Sequence, residues 1–117
     1  MTPDDYFGEC RLGIEVFAAV SEILRPRPVE VRTTKSQVAF RTRRGFAYVW
    51  MPGRYLSNPG AQVVLSIALD RRLGSERFKE VAHPSTRIWQ HHLEIHEVTD
   101  IDDEVARWLL EAYERAG

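Results

Sequence analysis

The chain predicts an α+β domain: a two-layer sandwich in which about five mainly antiparallel strands carry an N-terminal and a C-terminal helix on one face. Three observations predict it. The 117 residues are the size of one domain, so a single domain over 1–117 is expected. Apolar residues recur at three- and four-residue spacing near the two ends and alternate with polar ones in between. No stretch between the alternating segments has the helical pattern that a parallel crossover needs.

The first helix is expected at about 12–25. Leu12, Val16, Phe17, Val20, Ile23 and Leu24 form an apolar stripe opposite Arg11, Glu15 and Glu22. Arg25-Pro26-Arg27-Pro28 ends it, because proline lacks the amide donor and disfavours helix in the residue before it. Val29, Val31 and Thr33 alternate with charged residues as a first strand. Ser36 to Thr42 and Phe46 to Met51 follow as a hairpin across Arg43-Arg44-Gly45. The segment 51–60 is rich in turn formers and reads as a loop, and Gln62 to Leu69 is a fourth strand. Residues 70–87 lack a period and read as a long connection. Trp89 to Val98 alternates as a fifth strand. Thr99-Asp100 is expected to cap a last helix with the stripe Ile101, Val105, Trp108, Leu109 and Ala112.

Composition narrows the classes of function. No stretch approaches the roughly 20 apolar residues that a membrane span needs, so no membrane association is expected. The first residues lack the basic and apolar regions of a secretion signal, and the expected location is the cytoplasm. Cys10 is the only cysteine, which leaves no internal disulfide and no thiolate cluster. Net charge is −1, yet the charges are segregated. From Arg25 to Arg54 eight basic residues face one acid, Glu30, whereas from Glu94 to Glu114 eight acids face Arg107 alone. A basic sheet backed by acidic helices is expected.

Candidate binding residues lie on the strands. Arg44-Gly-Phe-Ala-Tyr-Val-Trp-Met51 has the pattern of the ribonucleoprotein octapeptide, whose alternate aromatics stack on splayed bases. The element order differs from that of RNA-recognition domains, and the companion aromatic motif is missing. Register decides where Phe46, Tyr48 and Trp50 point. A two-residue turn at Arg43-Arg44 pairs Ala39 with Tyr48 and puts the aromatics beside Arg41. A three-residue loop with Gly45 in the left-handed conformation pairs Phe40 with Tyr48 and buries them, and turn chemistry favours it. On the fifth strand His92, Glu94 and His96 share one side, a weak candidate metal set that lacks a further ligand. No cofactor is implied. Lys35, Gln37, Arg41 and Arg54, with His92 and Glu94, are the candidate contacts for an anionic ligand.

Three blocks, Thr34-Lys-Ser-Gln-Val-Ala-Phe40, Gly45-Phe-Ala-Tyr-Val-Trp50 and Trp89-x-x-His92-Leu-Glu-Ile95 leading to Glu111-Ala-Tyr-Glu114, resemble a bacterial domain-of-unknown-function family, number 5655. The resemblance covers about 28–117 and implies domain boundaries and a binding or accessory role, with no assigned catalytic residues. The function expected is a non-catalytic binding domain that contacts an anionic ligand or protein partner through its open sheet face. A homodimer is expected to cover that face. Sheet-mediated binding of single-stranded nucleic acid is the alternative, and a small metal-dependent or acid-base enzyme using His92 and Glu94 is the third.

Overall fold

The computed structural model describes residues 1–117 and shows an α+β fold with a six-stranded antiparallel sheet and three helices. The helices are α1 (Pro3–Phe7), α2 (Arg11–Leu24) and α3 (Asp103–Ala116). The strands are β1 (Glu30–Thr33), β2 (Val38–Arg41), β3 (Gly45–Trp50), β4 (Val63–Leu69), β5 (Glu80–Ser85) and β6 (Ile88–Ile95). Their order across the sheet is β1-β2-β3-β4-β6-β5. No helix is long and apolar enough to cross a membrane.

One core joins the helices to one face of the sheet. Val16, Val20 and Leu24 of α2 and Val105, Leu109 and Ala112 of α3 pack with Val38 and Phe40 of β2, Val49 of β3, Leu65 and Ile67 of β4 and Ile95 of β6. Alternation on each strand supplies that face, and the helical period supplies its cover. Gly13 of α2 is set by close approach, since a Cβ there would collide with the Phe7 ring of α1.

α1 was not apparent from periodicity, being too short to show one. Thr2 and Asp5 form a reciprocal cap at its start, and Tyr6 ties it to the sheet. The Tyr6 hydroxyl donates to the Ser36 carbonyl at 2.9 Å and accepts the Met51 amide at 3.1 Å. Tyr6→Phe is expected to lower stability by about 1–2 kcal/mol in urea unfolding, because the buried Met51 amide loses its partner.

The connection expected at 70–87 contains β5, which makes six strands rather than five. β5 pairs with β6 through Glu80↔His92, Val81↔His91 and Ala82↔Gln90, then becomes irregular before the Ser85↔Ile88 pair. Pro84 has no amide to donate, and an edge strand tolerates that loss. Arg77, ahead of β5, reaches Asp102 at 3.0 Å, Glu104 at 2.8 Å and the Asp100 carbonyl at 2.9 Å. Phe78 packs between His91 and Trp108. The connection is thereby fastened to the acidic start of α3. That helix begins later than expected: Val98–Asp100 is a 3-10 turn, and Asp102 caps the helix by accepting the Val105 amide.

The β2–β3 hairpin also differs from expectation. Arg41 pairs with Gly45 across the loop Thr42-Arg43-Arg44, and Gly45 is not in the left-handed region. Phe40 then pairs with Ala47, which leaves Phe46 as an extra residue in a β-bulge. Beyond the bulge the pairs are Ala39↔Tyr48 and Val38↔Val49.

Candidate functional site

The bulge divides the three aromatics of β3. Phe46 is turned to the helix side, fully buried and edge-on to Tyr113 of α3 at 5.8 Å between centroids. Tyr48 and Trp50 point to the helix-free face, so the expected burial of all three under the helices is corrected. One extra residue changes the alternation, and a register drawn with strict alternation cannot place Phe46 and Tyr48 on opposite sides.

Strand pairing lays out the open face in rows. One row runs Arg32, Ala39, Tyr48, Ser66, His92, Glu80 from edge to edge. On one side of it Trp50, Val64 and Glu94 are in line, and on the other Ala68, Gln90 and Ala82. Ala39, Val64, Ser66 and Ala68 are small enough to be covered by the longer side chains around them, and each is at most 5% exposed although no helix covers them. A depression of about 450 Å³ results, lined by Gln37, Tyr48, Trp50, Ser66, Gln90 and His92. Tyr48 lies back along its strand over Gly45, where a Cβ would meet the phenol.

The floor of the depression is a hydrogen-bonded chain. Trp50 Nε1 donates to Ser66 Oγ at 2.8 Å, and Ser66 Oγ lies 2.6 Å from His92 Nδ1. Trp50 can only donate, so the serine oxygen accepts there; when the serine's own proton points at Nδ1, the imidazole proton is on Nε2. Burial holds His92 below its ordinary pKa, against a smaller upward pull from Glu80. With the serine proton pointing at Nδ1 the ring is neutral, which is the form that burial favours. Trp50 is further fixed by His92, edge-on at 6.1 Å, and by Tyr55 at 6.2 Å.

A serine within hydrogen-bond reach of histidine is also the contact of a nucleophile with its base. Here the serine is 3% exposed and already accepts the indole proton. No carboxylate bonds to His92 to orient it. The arrangement suits a rigid binding floor better than an attacking oxygen. His92 and Glu94 share the open face without a hydrogen bond between them, and no group of three His, Cys, Asp or Glu side chains is placed to hold a metal ion. His96 lies beyond the end of β6 and is exposed.

Of the other residues singled out in the sequence, Gln37 lines the depression and Arg41 stands on the same face, two residues beyond Ala39. Lys35 is exposed in the β1–β2 turn. Arg54 is elsewhere: it donates to the Tyr6 carbonyl at 2.7 Å and stacks over the Tyr6 ring at 4.6 Å, where it helps line a larger groove of about 920 Å³ with Cys10 and His96. Ser66 and Gln90 were missed as site residues. The signal for Ser66 was a lone hydroxyl within Val63-Val-Leu-Ser-Ile-Ala-Leu69.

The charge pattern is partly neutralised on the helix side. Arg71 grips Glu111 with two bonds of 2.8 Å, and Arg77 takes Asp102 and Glu104. Arg32 pairs with Glu30 on the open face, whereas Lys35, Arg41, Arg43 and Arg44 form no ion pair. These free cations belong to the β1–β3 half of the sheet.

No curated protein and no solved structure matches the chain. The family described as Domain of unknown function (DUF5655) matches residues 14–116, and the chain belongs to that family.

Proposed function

We propose that the chain is a non-catalytic binding domain that takes an anionic ligand on its open sheet face. The observation that carries this reading is the placement of Tyr48 and Trp50 on the helix-free side, around a polar depression and on the same face as Arg41, which forms no ion pair. Aromatic walls contribute apolar contact area at little entropic cost. Arg41 attracts and orients an anion, and it has no carboxylate to leave. The apolar residues of this face are already covered by their own neighbours, so the face is prepared for a ligand without a second copy lying across it.

The test is a titration of isotope-labelled protein with ribose 5-phosphate and with pyrophosphate, followed by backbone amide shifts. Shifts are expected at Ala39, Arg41, Tyr48, Ser66 and His92, and binding should weaken as salt is raised. Arg41→Gln is expected to weaken it roughly three- to tenfold, the loss of one charge contact at a solvated site. An open face that responds to neither anion would refute the reading.

A further inference from the structure

The depression holds more hydrogen-bonding ends than the protein satisfies. Gln90 Oε1 is buried and has no partner, a state that folded proteins rarely leave without a ligand or water to meet it. The other polar ends around it, the Gln37 amide, the Tyr48 hydroxyl and His92 Nε2, are likewise not bonded to protein groups, because His92 uses only Nδ1 within the chain. The unmet set is neutral. It combines an amide acceptor, amide donors and an imidazole N–H, with aromatic rings beside them.

We propose that the depression receives a nucleobase: a flat heteroaromatic ring with a donor and an acceptor side by side on one edge, joined to a sugar phosphate. The proposal rests on the open face being the binding face, and it names the ligand class. A turn of the Gln90 carboxamide about its last torsion brings Oε1, unsatisfied where it is now buried, to the depression, where it accepts from a ring or exocyclic N–H while the NH2 donates. His92, held by Ser66, donates from Nε2. Tyr48 provides the face on which the ring stacks. Arg41, on the same face beside Ala39, is placed for the phosphate.

Size and charge agree with this assignment. A volume of about 450 Å³ is near the lower end for small-molecule sites, room for one base and its sugar rather than for several stacked bases. Phe46, the third aromatic of the octapeptide, is in the core and cannot extend a stacking platform. A free mononucleotide and a single nucleotide within a strand present the same chemistry, and the experiment separates these two sources.

Calorimetric titration of the full chain uses the adenosine, guanosine, cytidine and uridine monophosphates, ribose 5-phosphate as the ligand without a base, and a short single-stranded RNA. At least one mononucleotide, or the RNA alone, is expected to bind roughly tenfold more tightly than ribose 5-phosphate, the value of one or two hydrogen bonds to a buried amide. Binding of the mononucleotide identifies a free nucleotide as sufficient, and binding of the RNA alone identifies a strand. Gln90→Leu is expected to abolish that preference, bringing nucleotide affinity down to the level of ribose 5-phosphate. Should Gln90→Leu unfold the protein, Tyr48→Ala is expected to lower the ratio of nucleotide to ribose 5-phosphate affinity from the stacking side. Equal affinity for nucleotides, RNA and ribose 5-phosphate overturns the base pocket but leaves the anion-binding reading intact. Absence of binding by every ligand removes both.

Discussion

Phe46→Ala is expected to destabilise the protein by about 3–5 kcal/mol, and Tyr48→Ala, two residues along the same strand, by about 1 kcal/mol or less. In a regular strand these positions would share a face and respond alike. The bulge separates them. Phe46 is fully buried against Tyr113, so its truncation leaves a cavity between β3 and α3 that neither element can close without moving. Tyr48 covers Ala39 and Ser66 from the open side, and its loss removes cross-strand contact without opening the core. Chemical denaturation of both variants checks the contrast, and equal losses would show that the two rings occupy one layer. The pair also separates stability from binding, since Tyr48→Ala is the variant expected to impair ligand recognition.

His91 is the second position where a large effect is expected. It is fully buried among core side chains, yet both ring nitrogens are engaged: Nδ1 with the Ile67 carbonyl at 3.1 Å and Nε2 with the Leu73 amide at 3.0 Å. The carbonyl needs a donor and the amide an acceptor, so the ring is neutral with its proton on Nδ1. His91→Leu keeps the bulk but leaves those backbone groups unmatched, at about 1–3 kcal/mol for each.

The same geometry sets a pH dependence. Burial is the largest influence on His91 and on His92, and it lowers both pKa values from an ordinary 6.5. A histidine with a lowered folded pKa binds its proton more readily in the unfolded chain, so stability falls as pH drops below about 6.5 and levels off below the folded value. Asp102 and Glu111, held low by the Val105 amide and by Arg71 respectively, add losses only in the carboxylate range further down. Urea unfolding from about pH 7.5 to about pH 5 should therefore show declining stability in the native chain and a shallower decline in His91→Leu, with His92 responsible for what remains. An unchanged slope in the variant would assign the whole effect to other groups.

Much of the architecture was legible in the sequence, for reasons visible in particular segments. α2 and α3 carry long apolar stripes at helical spacing, and β4 and β6 are long enough for their patterns to stand out. The division of β6 into Trp89, His91, Leu93 and Ile95 on one side and Gln90, His92 and Glu94 on the other follows from alternation alone, and strand pairing reproduces it. β5 escaped notice because Glu80-Val-Ala-His-Pro-Ser85 is polar, contains proline and lies at an edge where only its inner side is paired. The depression was harder still. Its floor depends on Ser66 and Ala68 lying beside His92 and Gln90 across a strand pair, a juxtaposition that no single segment encodes.

The bulge at Phe46 also has a consequence for how such chains can change over time. Within Gly45-Phe-Ala-Tyr-Val-Trp50, removal of Phe46 alone would leave Ala47 and Val49 facing inward and Tyr48 and Trp50 outward, because the extra residue lies outside the paired ladder. Removal of Ala47 or Val49 would instead invert part of the strand. A relative that lacks one residue at this point can therefore keep the same open face with a reshaped interior, so the length of this segment is a poor guide to the make-up of that face.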